Sequence, residues 1–477
     1  MRAAPMHDES HPRFDSQYIE PDLLALATQL ANALLAGEQR SPALRKRLQT
    51  VLGRNWPWLA QLIRQVRLDF GDGISSAEHD ELVRSILAFA PLRRAFESDG
   101  EVPRVRGWFP FQPPMGAPPA RLGAIDLPAL ATPGDLADWL GLRIGELDWF
   151  AGSLRPQVAA NGPLWHYSYC WLAKRRGGYR LIEIPKPRLR NLQRRILRDI
   201  LERVPVHPAA HGCVRGRSVV SAALPHTGTD VVLQIDLREF FSTVTAARVH
   251  AVFRTLGYPP AVARLLTGLA THSTPHSVLR AAPVAEHADA QAKRSQMQRQ
   301  VLLTVPHLPQ GAPSSPALTN LCAYRLDLRL SGAAAACGVG YTRYVDDLIF
   351  SGDVAFARKI ERFKSMVYSI IVDEGFEPHF QKTRARTQAT PQHVVGLVVN
   401  RRLNVPRCEF DALKALLHNC RCHGPAGQNR HAHPMFRQHL LGCIARVAQV
   451  NPARAARGCC GISAPSTGPD RAKPRCA

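Results

Sequence analysis

Residues 338–352 read GVGYTRYVDDLIFSG, two strand-like halves (Tyr341–Tyr344 and Leu348–Ser351) that meet at Val345, Asp346 and Asp347. A hairpin over this stretch puts the Asp pair at or beside its turn. Adjacent carboxylates repel each other, so holding two together is worthwhile mainly when a divalent cation neutralises them, and hard oxygen ligands of this kind suit Mg²⁺. Upstream, VVLQIDLREFFSTV (231–244) is an apolar strand, Val231–Ile235, that ends at Asp236 and is followed by the aromatic pair Phe240 and Phe241. The C-terminal ends of strands are where α/β folds place their sites. With Asp236 on the strand next to the hairpin, three carboxylates converge and can hold two ions about 3.5–4 Å apart, one to activate a hydroxyl and the other to stabilise a leaving pyrophosphate. An Asp pair at a turn is by itself ordinary surface; the combination carries the reading.

The rest of the composition says what such a site would act on. The 477 residues hold 61 Lys and Arg against 38 Asp and Glu, a net charge of +23, with 45% hydrophobic residues. That length predicts two to four domains, and that hydrophobic content builds a core, which excludes wholesale disorder. The N-terminus is acidic where a signal peptide would be basic and then apolar, and no apolar run approaches the roughly 18 residues of a membrane span. Eleven scattered cysteines give no disulfide framework, which favours a reducing cytoplasm. A basic cytoplasmic protein meets a polyanion, and nucleic acid leads because phosphates reward clustered Lys and Arg. The charge is clustered: Lys174–Arg217 carries thirteen basic residues against three acidic ones.

Along the chain, residues 1–102 read as a flexible tail and a helical extension, with Pro21 at a helix start and Leu23, Leu26, Leu30 and Leu34 at helical spacing. Residues 103–131 are rich in Pro and Gly and read as a linker. The helical period restarts at Thr132. Further strands are expected at Tyr179–Ile184 and Val394–Val399, and helices at Leu189–Arg203 and Ser315–Leu330. Residues 401–450 are mainly helical, and 451–477 form a basic tail expected to be disordered. The stretch Thr271–Gln300 is longer than the motif order requires and has no evident role. Strands and helices interleave, so the fold class is α/β (α+β).

The strand ending in Asp236, the segment LPQGAPSSPALTN (308–320) and the Tyr344–Asp347 turn resemble, in order, the three palm motifs of reverse transcriptases. Other segments are similar to the bacterial retron-type enzymes: GGYRLIEIPKPRLRNLQRRIL (177–197), AHGCVRGRSVVSAALPH (210–226), FQKTR (380–384) and VVGLVVN (394–400). The resemblance covers about residues 132–456. It implies a right-hand polymerase fold with fingers (132–228), palm (229–400) and helical thumb (401–450), added to the N-terminal helical extension. It also implies RNA-directed DNA synthesis from deoxynucleoside triphosphates, with a structured non-coding RNA as template and primer and a covalent RNA–DNA product. A role in antiviral defence with an effector protein, and no membrane association, complete the expectation.

Residue by residue, Asp236, Asp346 and Asp347 match the family's catalytic carboxylates, which hold two Mg²⁺ ions. Phe241 falls at the aromatic gate that excludes a 2′-hydroxyl; a bulky ring beside the sugar can reject an added hydroxyl by volume, while Phe240 reads as the core member of the pair. Gln310 and Gly311 match the loop near the incoming nucleotide. Arg180 and Lys186 match positions that neutralise the triphosphate, and Lys382 the lysine near the leaving pyrophosphate. Arg188, Arg194, Arg195, Arg215, Arg217 and His226 are the candidate RNA contacts. Two departures concern the retron subtype. The usual Asn-Ala-x-x-His is Ala222–His226 here, which keeps His and loses Asn, and the usual Val-Thr-Gly is Val394-Val395-Gly396. Cys420, Cys422, His423, His431 and His433 invite a zinc reading, but Cys-x-Cys-His is too cramped for one ion and the segment resembles an ordinary thumb helix and turn. The alternatives are a group II intron-like or other bacterial reverse transcriptase, and a catalytically idle RNA-binding protein of the same fold.

Overall fold

A computed structural model describes residues 20–37, 39–71, 74, 77–97, 101–109, 115–152, 165–174, 178–283, 290–430 and 432–459. The chain divides into two compact units, one of Met1–His166 with His250–Ala270 and one of Tyr167–Val249 with Thr271–Ala477. Residues 1–19 and 460–477 lie outside the described residues; the disorder expected over the C-terminal tail is corrected at 452–459, which form a helix because Ala455 packs into the core and the Arg454 guanidinium lies over the Phe410 ring.

The first unit is helical. It opens with α1 (Pro21–Leu35), α2 (Ser41–Leu52), α3 (Leu59–Phe70), α4 (His79–Ala88) and α5 (Ala90–Glu97). The apolar stripe Leu26, Leu30 and Leu34 of α1 is fully buried against Leu44, Leu48, Leu59, Leu62, Leu82 and Ile86, as helical spacing demands. Residues 101–109 have no regular element, yet they are strapped down. Gln29 accepts the Phe109 N–H at 3.0 Å, Asn32 donates to the Phe109 carbonyl at 3.1 Å, and Gly107 N–H donates to Val51 at 3.1 Å. A Cβ on Gly107 would stand 2.5 Å from the Thr50 carbonyl oxygen. Thr132 then starts α6 (Pro133–Leu140) through a reciprocal capping box with Asp135. α7 (Ile144–Phe150) follows. The boundary between the units falls after His166, inside the stretch expected to form the fingers, because α6 and α7 pack on α11 (Pro260–Ala270) of the same unit.

The second unit begins with an antiparallel hairpin, β1 (Tyr167–Ala173) and β2 (Tyr179–Pro185), and the basic helix α8 (Pro187–Asp199). A short α9 (Val219–Ala223) leads to β3 (Val231–Asp236). α10 (Ala246–Thr255) runs from this unit into the first; α12 (His276–Arg280), α13 (Ala290–Thr304), α14 (Ser315–Cys322) and α15 (Tyr324–Ala336) follow α11. The helix expected over Ser315–Leu330 is thus two helices, broken at Ala323. Next come β4 (Gly340–Tyr344), β5 (Asp347–Gly352), α16 (Val354–Asp373) and β6 (Arg384–Thr387). These strands form one sheet in the order β4-β5-β3-β6, antiparallel throughout. The α+β description therefore holds, and the parallel-sheet rule used to expect a site at Asp236 does not apply: Asp236 ends β3 whereas Asp347 begins β5.

Alternation divides this sheet. Leu233, Ile235, Leu348 and Phe350 face α15 and α16, where Phe350 meets Phe363 edge-on. Val232, Gln234 and Asp236 share the other face with Asp347, Ile349 and Ser351. Val394–Val399, expected as one strand, is a hairpin of β7 (His393–Val394) and β8 (Leu397–Val398) turning at Val395 (φ +48°) and Gly396 (φ +77°). Two consecutive positive φ angles are the signature of a tight primed turn. α17 (Arg407–His423), α18 (Phe436–Val450) and α19 (Pro452–Cys459) pack around this hairpin, burying Leu397, Val399, Phe410, Leu413, Leu440 and Val447. Among the described residues no helix is long and apolar enough to cross a membrane.

Candidate active site

Asp236 and Asp347 are direct cross-strand partners on the antiparallel pair β3–β5. Like charges directly opposite each other are unfavourable. Tyr344 and Asp347 close the β4–β5 hairpin, so Val345 and Asp346 are its two turn residues, and the Leu237 N–H donates to the Asp346 carbonyl at 2.9 Å. All three carboxylates thus gather at one end of the sheet. Burial, then the charges of Asp346 and Asp236, push the Asp347 carboxyl up to about 7; burial and Asp236 raise Asp346. The cations within reach, Lys382 and Arg180, are outweighed by burial and mutual repulsion, and a divalent ion would supply the remaining compensation. Both oxygens of Asp236 accept from Lys382 Nζ, at 3.0 and 2.9 Å. Among the described residues no three Asp, Glu, His or Cys side chains already stand as a set of ligands. The donor chemistry nonetheless fits a hard cation, since the lysine is solvent-facing and side-chain rotation alone would release Asp236 to it.

The turn is held from below by a residue the sequence reading passed over. Arg343 is fully buried. It donates to Asp327 at 2.7 and 2.6 Å, to Asn320 Oδ1 at 2.9 Å and to the Val345 carbonyl at 3.0 Å. Asn320 in turn donates to the Gly212 carbonyl. A Cβ on Gly212 would stand 2.5 Å from the Val345 nitrogen, so only glycine allows that loop to lie against the turn. Val345 has φ +57°, an uncommon and costly conformation for a β-branched residue. The one available signal was Arg343 itself, a charge between Tyr341 and Tyr344 in a strand that leads into the turn.

The expected nucleotide residues surround this cluster. Phe240 is buried (3% exposed) and Phe241 is partly open beside it. Arg180 on β2 is exposed, and its charge favours the ionised form of both the Asp346 and Glu239 carboxylates, partly offsetting the rise at Asp346. Lys186 directly precedes α8, with its side chain making no capping bond. The Gln310 carbonyl accepts the Glu183 N–H at 3.0 Å, and Gly311, at φ +138°, lies so near β2 that a Cβ would meet the Glu183 carbonyl oxygen at 2.7 Å. Beneath that turn, buried Glu183 accepts from Thr274 at 2.6 Å and pairs with His307 at 3.0 Å. Burial opposes its charge, but the bonds and charge of His307 outweigh it and hold the carboxyl below the usual range. Sequence reading also missed Glu239, whose carboxylate meets Arg299 and Lys174.

The candidate RNA residues divide. α8 buries Leu189, Leu192 and Ile196 and turns Arg188 and Arg194 outward, with Arg195 half-buried and near Asp199 at 3.8 Å. Arg215 is exposed. Arg217 donates through one nitrogen to the carbonyls of His207, Pro208 and Ala210, so it braces its own loop. His226 is a correction: it is fully buried, its Nδ1 2.8 Å from Ser351 Oγ and its Nε2 2.7 Å from Thr342 Oγ1, leaving no ring nitrogen for RNA. Of the thumb cysteines and histidines, His431 lies outside the described residues; Cys422 meets His418, and His433 stacks near His439.

Known proteins match in the same region. Residues 172–399 match the family "Reverse transcriptase (RNA-dependent DNA polymerase)". The chain is 38% identical over 343 residues to the retron Mx65 reverse transcriptase of Myxococcus xanthus, covering 71% of this chain and 73% of that protein. It is 36% identical to the retron Mx162 reverse transcriptase of the same organism, over 67% and 64% of the two chains. To the retron Ec86 reverse transcriptase of Escherichia coli it is 31% identical, over 51% and 66%.

Proposed function

The chain belongs to the retron-type reverse transcriptases and is an RNA-directed DNA polymerase, and from that premise we propose that it copies a structured non-coding RNA that also primes it, leaving DNA covalently joined to RNA. The observation that carries the site assignment is the cross-strand placement of Asp236 and Asp347 with Asp346 in the adjoining turn. Reverse transcriptase domains generally use divalent metal ions. Here Asp236, Asp346 and Asp347 are the residues that would hold them, two Mg²⁺ ions by their all-carboxylate chemistry. Bound there, the ions would lower the pKa of the primer hydroxyl and neutralise charge on the leaving pyrophosphate.

The chain's own residues do the rest. Arg180 and Lys186 approach the triphosphate from the fingers side, and Lys382, displaced from Asp236, stands over the leaving pyrophosphate. Gln310 and Gly311 present backbone beside the base. Phe241 closes the space a 2′-hydroxyl would need. Arg188, Arg194, Arg195 and Arg215 offer phosphate contacts to the RNA, with Arg217 shaping the loop that carries Arg215. Service in antiviral defence with an effector protein belongs to the same reading and rests on the family resemblance alone.

Purified protein, incubated with its primed RNA, Mg²⁺ and labelled deoxynucleotides, should extend the primer and give a product in which DNA stays attached to RNA after denaturation. RNA binding without extension under any template or metal condition would mark an idle RNA-binding protein and sink the polymerase assignment.

A further inference from the structure

Helix α13 takes up the end of the stretch that motif order leaves without a role. Its Arg299 reaches two places. The Nε donates to Glu239 Oε1 at 2.6 Å and Nη1 donates to the Tyr179 carbonyl at 3.0 Å. Tyr179 opens β2 and precedes Arg180, while Glu239 lies three residues after Asp236 and directly precedes Phe240 and Phe241. One planar guanidinium therefore ties the strand that carries a phosphate-binding arginine to the segment that carries the aromatic gate. Its side chain and that of Glu239 are each only 19% exposed, and a rigid fork of donors fixes a separation better than a point charge does.

Both ends of the tie are constrained. Glu239 holds φ +45°, a left-handed conformation that a non-glycine residue keeps only when its surroundings impose it. Lys174 Nζ approaches the same carboxylate at 3.7 Å. α13 has a second anchor alongside, where Leu303 packs with Leu181 and Leu279, Gln300 donates to the Leu279 carbonyl at 3.2 Å and the Leu303 carbonyl accepts from Thr274. The helix cannot drift without dragging β2 or Glu239 with it.

We propose that Arg299 is a positioning residue of the nucleotide site, setting the gap between Arg180 and Phe241 and thereby both the affinity for the incoming deoxynucleotide and the rejection of ribose. This rests on the assignment of Arg180 and Phe241 to that site. A helix that merely stabilised the hairpin would instead lower activity and stability together, whichever of its anchors was cut.

The test is single-nucleotide extension by the full chain with deoxy- and ribonucleotides, alongside thermal melting. Arg299→Ala should raise KM for the deoxynucleotide about tenfold, change kcat less than about threefold and lower sugar discrimination. Arg299→Lys keeps the charge and loses the fork, so it should fall between Ala and wild type, and Glu239→Gln should move in the same direction. Gln300→Ala cuts only the other anchor and should leave KM and discrimination unchanged. Should Arg299→Ala fail to fold, the Lys and Gln variants decide by the same readouts. Equal KM shifts in Arg299→Ala and Gln300→Ala, or unchanged KM and discrimination in the Arg299 variants, overturn the proposal. Phe241→Ala separates the two levels: altered discrimination there beside unchanged Arg299 variants removes only Arg299, whereas no change in either removes the gate assignment as well.

Discussion

Arg343 and Asp327 form a two-bonded ion pair, at 2.7 and 2.6 Å, in which neither side chain is exposed at all. The pair lies on the face of the sheet opposite the carboxylates, yet the same guanidinium donates to the Val345 carbonyl in their turn. Tyr341 adds a hydrogen bond to Asp327 at 2.8 Å. A buried pair costs much of its attraction in desolvation, so its net worth is small while both partners stand and its loss is large when one is removed.

Arg343→Ala is therefore predicted to lose about 3–5 kcal/mol of unfolding free energy, because Asp327 is left charged and buried. Arg343→Lys should also be strongly destabilised, since one ammonium cannot serve Asp327, Asn320 and Val345 together. Denaturant unfolding checks both. A loss below about 1 kcal/mol in Arg343→Ala would mean the pair is not the anchor described.

Gly212→Ala places a methyl group 2.5 Å from both the nitrogen and a side-chain carbon of Val345. The turn must move. Extension should drop at least about tenfold while stability falls by only about 1–3 kcal/mol. An active, equally stable variant would show that the loop can retreat without disturbing the turn.

Asp346→Asn removes one proposed metal ligand without changing size. Extension should fall below detection at every Mg²⁺ concentration, and RNA affinity should stay within about twofold, because backbone phosphates are contacted elsewhere. Retained synthesis refutes the ligand assignment.

Phe241→Ala should raise ribonucleotide incorporation relative to deoxynucleotide, since the volume that excludes a hydroxyl is lost. Parallel kinetics with the two sugars measure it, and unchanged selectivity places the gate at another residue.

His226 gives a pH prediction. Burial, reinforced by the charge of His211, depresses its pKa to about 4 from an ordinary 6.5. Above pH 6.5 the ring is neutral in folded and unfolded chains alike. As pH falls below 6.5 the unfolded chain binds the proton first, so stability drops, by about 3 kcal/mol in all, until the folded protein also protonates near pH 4. Unfolding of wild type and His226→Gln across that range should show the variant lacking this part of the acid loss. Identical slopes would mean that the histidine does not titrate as placed.

Local pattern made much of this legible. Alternating apolar residues announced β2, β3, β4 and β5, and the Thr132 capping signal stands where α6 begins. Where local pattern misled, a tertiary contact decided. His226 was expected to face RNA, but the hydroxyls of Thr342 and Ser351, more than a hundred residues away, satisfy it in the core. Gly396 broke an expected strand because a turn needed its positive φ. β1 was not among the expected strands although Tyr167, Tyr169 and Trp171 alternate with Ser168 and Cys170, and the four-residue β6 takes its form from pairing with β3.

The sequence by itself determined the order of the motifs, the carboxylates at their strand ends, the basic stretch and the family, because strand period, turn chemistry and motif spacing act over a few residues. Only the tertiary structure decided that Asp236 faces Asp347, that Arg343 holds the turn, and that Arg299 joins Tyr179 to Glu239 across separations of 120 and 60 residues. Pairing partners are chosen by packing of the whole sheet and by the need to satisfy buried charge, and neither is written in any single segment.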